Sequence, residues 1–356
     1  MLDSSLKRQK THQVQVGGVG VGGDSCVSVQ SMCNTKTEDV KATLDQITEL
    51  ALAGCEIVRV AIPRESALDS FEEICRKSCL PVVADIHFDH RLAIEACRRG
   101  ASGIRINPGN IGSWDKVDAV IEEAKKTSTP IRIGVNAGSL AKAIDARDDL
   151  SLVDKLVLSS VQFVEHFRAR GFEDIVLSAK AHDVNTTIAT YRRLSQELPD
   201  VALHLGVTEA GTFMQGTIKS AIGLGVLLEE GIGNTFRVSL TDDPVKEVRV
   251  AWEILQALNM RRRGAELVSC PTCGRTQVDL IGIASEVEQR LVNLKKPITV
   301  ACMGCVVNGP GEAKGADIGV ACGVGQGLIF AKGEVIRKVS EDEIVDALFE
   351  EIENRF

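Results

Sequence analysis

Pro81-Val-Val-Ala-Asp-Ile-His87, an intervening stretch that closes on Gly100, then Gly103-Ile-Arg-Ile-Asn-Pro108: this passage holds one full repeat of the chain. A short β-branched run ends in polar residues, a helical segment follows and stops at a glycine, and the next run begins. The same unit recurs from about residue 27 to about residue 241. Its other runs are Val27–Met32, Ile57–Ile62, Ile131–Asn136, Asp174–Lys180, Ala202–Thr208 and Thr235–Leu240. Between them lie segments such as Thr37–Ala53, Phe71–Cys79 and Leu150–Arg170, apolar at a helical period, and Gly54, Gly171 and Gly231 close others. Eight such units predict an α/β fold with a closed (β/α)8 TIM-type barrel. The alternative is an open doubly wound sheet, which normally has fewer strands.

Past Trp252–Met260, the run Arg261-Arg262-Arg263-Gly264 reads as a boundary, dividing the chain into domains 1–262 and 263–356. The second part is rich in glycine and cysteine. Helices are expected at Ile281–Leu294 and Glu341–Asn354, and strands at Ile298–Cys302, Ile318–Ala321, Gly327–Ala331 and Glu334–Val339. Together these make a smaller α+β domain. Gly18-Val-Gly-Val-Gly-Gly23 fits the dinucleotide pattern G-x-G-x-x-G, but a strand follows it. Without a helix N-terminus it cannot cradle a pyrophosphate, so a β-hairpin turn is the reading.

Composition narrows the function classes. Apolar residues make up 44% and charged residues 25% of the 356, the balance of a globular protein. With 10 Phe, 2 Trp and 1 Tyr, base stacking has few platforms, and a net charge of −8 argues against nucleic acid or an anionic membrane as partner. No run is long enough to span a bilayer, and no signal-peptide core follows Lys7, Arg8 and Lys10. A cytoplasmic protein with its 11 cysteines reduced is expected.

Barrels of this kind do their chemistry at the C-terminal ends of the strands. Those ends carry Arg59; Asp85 and His87; Arg105 and Asn107; Arg132 and Asn136; Ser178, Lys180 and His182; His204 and Glu209; Arg237 and Ser239. Buried charges are costly unless paired, and acids on these strands are few, so four arginines and a lysine imply an anion. Arginine's planar fork suits phosphate, and two phosphate groups fit this number of cations better than one. Structural ion pairs inside the barrel are the alternative. The histidines are as readily core residues as catalytic ones. Glu209 is either a proton donor or a counter-ion that orients Lys180 or an arginine.

Two runs in the second domain point to a metal centre: Cys270-Pro-Thr-Cys273-Gly-Arg275 and Cys305-Val-Val-Asn308-Gly-Pro-Gly-Glu312. Three thiolates favour a soft metal or an iron–sulfur cluster, and a carboxylate would be a weaker, replaceable ligand. Cys302-Met-Gly-Cys305 adds a rival reading. With Cys270 and Cys273 it spells C-x2-C…C-x2-C, the pattern of a structural zinc site, although the gap between pairs is long for one. A phospho-sugar aldolase or isomerase with a zinc ribbon, and a cluster-bearing sensor without turnover, therefore stay open on spacing alone. Cys26, Cys33, Cys55, Cys75, Cys79, Cys97 and Cys322 read as structural thiols, Cys75 and Cys79 sharing one helical face.

Across its whole length the chain resembles the 4-hydroxy-3-methylbut-2-enyl diphosphate synthase family, bacterial two-domain type. The resemblance rests on Gln30-Ser-Met32, Ala84-Asp-Ile-His87, Arg105-Ile-Asn107-Pro-Gly, Ile133-Gly-Val-Asn136, Ser178-Ala-Lys180, Leu205-Gly-Val-Thr-Glu209-Ala-Gly and the two cysteine runs. It implies a [4Fe-4S] cluster held by Cys270, Cys273, Cys305 and Glu312, with Cys302 outside the ligand set. The implied reaction is reductive ring opening and dehydration of 2-C-methyl-D-erythritol 2,4-cyclodiphosphate in the methylerythritol phosphate route. Glu312 would give way to substrate, Asn308 would hydrogen-bond it, and Arg275 would steady the cluster. Flavodoxin or ferredoxin is implied as electron donor. A homodimer is implied too, with one chain's cluster domain capping the other's barrel.

Overall fold

The structure is a computed structural model that describes residues 8–292, 294–305, 313 and 315–356. The chain forms two compact units, Met1–Arg261 and Arg262–Phe356. Among the described residues no helix is long and apolar enough to cross a membrane.

The first unit opens with an antiparallel hairpin, β1 (Val14–Val16) and β2 (Val19–Val21). Gly17 turns it at φ 58°, a backbone region that costs glycine little. The glycine-rich run is thus a hairpin, as its lack of a following helix required. Eight parallel strands come next: β3 (Ser28–Met32), β4 (Ile57–Ala61), β5 (Val82–Ile86), β6 (Gly103–Ile106), β7 (Ile131–Asn136), β8 (Ile175–Lys180), β9 (Ala202–Leu205) and β10 (Thr235–Phe236). They close into a barrel because β10 pairs with both β9 and β3. The helices are α1 (Val40–Ala53), α2 (Leu68–Lys77), α3 (His90–Arg98), α4 (Pro108–Ile111), α5 (Trp114–Thr127), α6 (Lys142–Asp145), α7 (Leu152–Ala169), α8 (Val184–Glu197), α9 (Phe213–Glu229) and α10 (Pro244–Ala257).

Strand side chains alternate, and the two series have different fates. Val58, Val60, Ala84, Ile86, Ile104, Ile106, Ile131, Ile133 and Leu177 face the helices in one large core. Of the other series, Ile57, Val83, Val176 and Ala202 meet Val14, Val16 and Val21 of the hairpin. The hairpin is therefore an apolar floor plugging the N-terminal end of the barrel, and function is left to the opposite end. One local expectation fails. α2 ends at Lys77, where Ser78 turns extended and bonds Leu80 O, so Cys79 lies beyond the helix and shares no face with Cys75.

The second unit is a five-stranded sheet of β11 (Glu266–Ser269), β12 (Thr299–Met303), β13 (Ile318–Gly323), β14 (Gln326–Ala331) and β15 (Glu334–Ser340). The first three strands are parallel and the rest antiparallel. Helices α11 (Leu280–Leu291) and α12 (Ile344–Arg355) cover one face, packing on Val300, Cys302, Val320 and Cys322. The other face presents Ala301, Met303, Ala321 and Phe330, with Ala313 and Ala316 against them. Strand β11 has no counterpart among the expected strands; it is short and largely uncovered.

Candidate active site

Above the apolar floor, the inward series of the barrel turns polar within one step of two residues. Ile57 is followed by Arg59, Val83 by Asp85, Val176 by Ser178 and Lys180, and Ala202 by His204. Ladder pairing sets Asp85 beside Arg105 and Arg105 beside Arg132, and sets Gly134 beside Ser178 and Asn136 beside Lys180. The strands thus bring most of the expected mouth residues into one cluster.

Asp85 is its negative centre. Its carboxylate lies 3.7 Å from Arg59 Nε, 3.4 Å from Arg105 Nη1 and 3.2 Å from His87 Nε2. Burial would raise the Asp85 carboxyl, but Arg59, the His87 hydrogen bond and Arg105 together pull it far below the usual carboxylate range. Arg59 also donates to Met32 Sδ from Nε at 3.2 Å and from Nη2 at 2.9 Å. Burial lowers its guanidinium to about 10, with Asp85 opposing and Arg237 and Arg105 assisting. With its amide oxygen turned toward Arg105, Asn136 accepts from Nη2 at 3.0 Å. Asn107 instead caps α4 and donates to Ser139 Oγ at 2.8 Å, a loop-fixing role.

The far side of the cluster has no such partners. Arg132, 6% exposed, makes one bond, from Nη1 to Ser178 Oγ at 3.4 Å, and its Nε and Nη2 have none. Burial, then Arg59 and Arg105, push it well below the ordinary arginine value. Lys180 Nζ stands 3.5 Å from His204 Nε2, and His204 Nδ1 is buried without a partner. Burial first and the neighbouring cations second drive both well below their ordinary values, so His204 is neutral. Two glycines make room for these side chains. A Cβ on Gly134 would overlap the Arg105 guanidinium, and one on Gly206 would stand 2.6 Å from Lys180 Nζ.

Arg237 corrects the idea that acids are too few. Its Nε and Nη2 each reach Glu247 at 3.1 Å, a bidentate pair with a carboxylate from α10 rather than from a strand. Glu247 escaped the sequence reading, although it shares its helical stripe with Ala251 and Leu255, where an acid is out of place. Ser239 follows β10 and is half-buried. Glu209 is exposed at φ 53°, and among the described residues no salt bridge ties it to Lys180 or an arginine. His87 and His182 are exposed as well; His204 alone of the three is a core side chain.

In the second unit, Cys270 Sγ accepts from Gly304 N at 3.2 Å, which brings it beside the residue preceding Cys305. The Cys273 thiol is lowered by the Arg275 backbone N–H and then by its side chain. Cys302 and Cys322 differ: burial pushes each up to about 12, and both sit on the helix-covered face. Cys302 is thus turned into the core, which removes one corner of the four-cysteine zinc pattern. All 11 cysteines are free, and among the described residues no three Cys, His, Asp or Glu stand close enough to hold a metal ion. Glu312 and Asn308 lie outside the described residues. The donor chemistry fits a sulfur-liganded group, since Cys270 Sγ already accepts from a backbone N–H and the lowered Cys273 thiol favours the thiolate.

Fold and side chains define a class: a (β/α)8 barrel with a cation-lined mouth, followed by a thiol-bearing α+β unit. The chain belongs to the GcpE family, whose TIM-barrel domain matches residues 11–252 and whose C-terminal domain matches residues 266–354. A Geobacter sulfurreducens protein is 55% identical over 346 residues, 97% of this chain and 98% of that one. A Clostridium acetobutylicum protein is 55% identical over 349 residues, 98% of this chain and 100% of its own. Both are named 4-hydroxy-3-methylbut-2-en-1-yl diphosphate synthase (flavodoxin). Among solved structures, a Yersinia pestis dihydropteroate synthase matches with TM-score 0.50 at 14% identity, over 69% of this chain and 97% of that one. That likeness is one of fold alone.

Proposed function

We propose that this chain catalyses the reaction for which its relatives are named, in the methylerythritol phosphate route to isoprenoid precursors. 2-C-Methyl-D-erythritol 2,4-cyclodiphosphate takes up two electrons and two protons, opens its ring and loses one water to give 4-hydroxy-3-methylbut-2-enyl diphosphate. The observation that carries the reading is the charge balance of the mouth. Among the described residues Arg59, Arg105, Arg132, Arg237 and Lys180 face only Asp85 and Glu247, so the arginines alone leave an excess of two positive charges (four minus two) in a largely buried cluster. A cyclic diphosphate supplies the missing anion, and Arg132 and Lys180 have donors left to give it.

Arg59 and Arg105, held by Asp85, fix one side of the diphosphate, and Arg132 with Lys180 grips the other. Ser178, Asn136, His204 and Ser239 surround it; His87 and Asn107 shape the rim. This placement orients the carbon skeleton before reduction. Glu209, free of any ion pair to these cations, delivers a proton to the departing oxygen. Cys270, Cys273, Cys305 and Glu312 would hold the [4Fe-4S] cluster. When bound, that cluster would supply the electrons and the Lewis acidity that loss of the oxygen requires. Asn308 would hydrogen-bond substrate, and Arg275 would offset the charge of the cluster. A flavodoxin, or in its place a ferredoxin, delivers the electrons, and the working form is a cytoplasmic homodimer.

Anaerobic purification followed by turnover tests this. The expected protein is brown, has about four irons and four sulfides per chain, and converts the cyclodiphosphate when a low-potential reductant is supplied. A colourless zinc protein, or a brown one that leaves the cyclodiphosphate untouched, overturns the proposal.

A further inference from the structure

We propose that Glu247 is the positioning residue of the diphosphate grip, holding Arg237 and the end of the last barrel strand in the geometry the ligand needs. The inference rests on the functional reading above. β10 is short, and its ladder with β3 covers Thr235 and Phe236 only, opposite Ser28 and Val29, as brief as its ladder with β9. Arg237 and Ser239 lie past that ladder, where β3 offers them no backbone bonds. One buried carboxylate takes over the task. Glu247, 2% exposed, accepts from Arg237 Nε and Nη2 at 3.1 Å each, from Leu240 N at 2.9 Å and from Ser31 Oγ at 3.4 Å. It therefore ties β3, the arginine beyond β10 and the segment leading into α10 to one helix.

The bidentate pair also fixes the plane of the guanidinium, leaving Nη1 with only a weak bond to Met32 Sδ at 3.7 Å. A carboxylate so fully engaged is unavailable for chemistry, so its effect reaches the ligand only through Arg237 and Ser239. Such an effect falls on binding, shared by ground and transition states, and leaves the chemical step alone. Glu247 keeps Asp243 as its helix N-cap neighbour, and Pro244 starts α10, so the helix holding it is locally specified.

The test uses the reconstituted enzyme and two readouts: steady-state kinetics with the cyclodiphosphate, and the affinity for inorganic pyrophosphate, which requires no turnover. Glu247→Gln is expected to raise KM and weaken pyrophosphate binding, each by about tenfold, with kcat within about twofold of the parent. In an Arg237→Gln background the same substitution should add less than about twofold, because the path through Arg237 is already broken. Ser31→Ala, which removes one bond and leaves the charge, should shift both readouts in the same direction by about twofold; it serves if Glu247→Gln does not fold. Unchanged pyrophosphate affinity, or effects of the two substitutions that multiply, overturns the inference. A parent enzyme that binds pyrophosphate but never turns over the cyclodiphosphate overturns the functional reading instead, and the pyrophosphate arm still judges Glu247.

Discussion

The barrel mouth and the cysteine end of the second unit solve opposite problems. In the mouth, cations are held close together with few acids among them, because eight strands and their helices supply the rigidity. Arg132 and Lys180 are buried short of partners, and the apolar core outside the barrel sustains that cost. In the second unit the thiols are not gathered: Cys270 has one N–H bond, Cys273 is exposed, and no three ligand types converge among the described residues. A scaffold can preorganise a site for a ligand that comes and goes. A site for a permanent group can leave assembly to the group itself, since ligand binding and local folding are then one event.

The largest expected effect tests that contrast directly. Cys270→Ala should bring turnover to background and strip iron from the protein, whereas Cys302→Ala should keep its iron and most of its activity, because Cys302 is a core thiol. Iron analysis and visible absorption decide it; iron loss in both variants would return Cys302 to the ligand set. In the mouth the corresponding substitution should behave differently. Arg132→Met should raise KM by about a hundredfold, the worth of roughly 2.7 kcal/mol of charge-assisted contact. It should also raise stability by about 1–3 kcal/mol, because an unpaired buried charge is gone. Thermal unfolding of the free protein that shows a loss instead would mean Arg132 has partners of its own.

How much of this could be read beforehand follows the same divide. The eight strands were legible because β-branched runs and helical periods alternate, and the mouth residues because they are polar groups at the C-terminal ends of those runs. Glu247 was not, since the pattern of the strands carries no information about a helix that packs beside the first and last of them. Gly134 and Gly206 stood inside recognised motifs, but their task is to leave space, and spacing in a sequence does not report the side chain that fills it. The cysteine runs were legible as donors. That Cys302 faces the helices depends on the register of β12, which the C-x2-C pattern does not contain. Strand β11 was missed because four half-exposed residues give no alternation to read.

Lys180 separates the two regions by titration. Its folded value is depressed by burial and by the surrounding cations. From that depressed value up to the ordinary 10.5, the unfolded chain holds a proton that the folded protein lacks, so stability rises with pH across the window. A diphosphate reverses the local field and raises the Lys180 value again. Calorimetry of pyrophosphate binding between the depressed and the ordinary Lys180 values, in buffers of different ionisation enthalpy, should therefore show more proton uptake in the parent than in a variant without this lysine. Lys180→Met should abolish most of it. Equal uptake in parent and variant would place the proton elsewhere.

Met32→Leu should give the smallest effect, and it asks how finely the mouth is preorganised. The thioether sits between two arginines, 2.9 Å from Arg59 Nη2 and 3.7 Å from Arg237 Nη1. A sulfur there is a weak acceptor that separates like charges without neutralising either. A carboxylate in the same place would cancel charge the ligand needs. Leucine nearly conserves the volume, so packing should change little. What is lost is the acceptor that two guanidinium groups share, and with it the restraint on Arg59, whose ionic tie, to Asp85, is already 3.7 Å long. KM should rise about two- to threefold with kcat unchanged. A larger rise would mean that Met32 governs the arginine geometry as strongly as Glu247 does. No change at all would mean the carboxylates suffice, and that the mouth tolerates more side-chain motion than its burial implies.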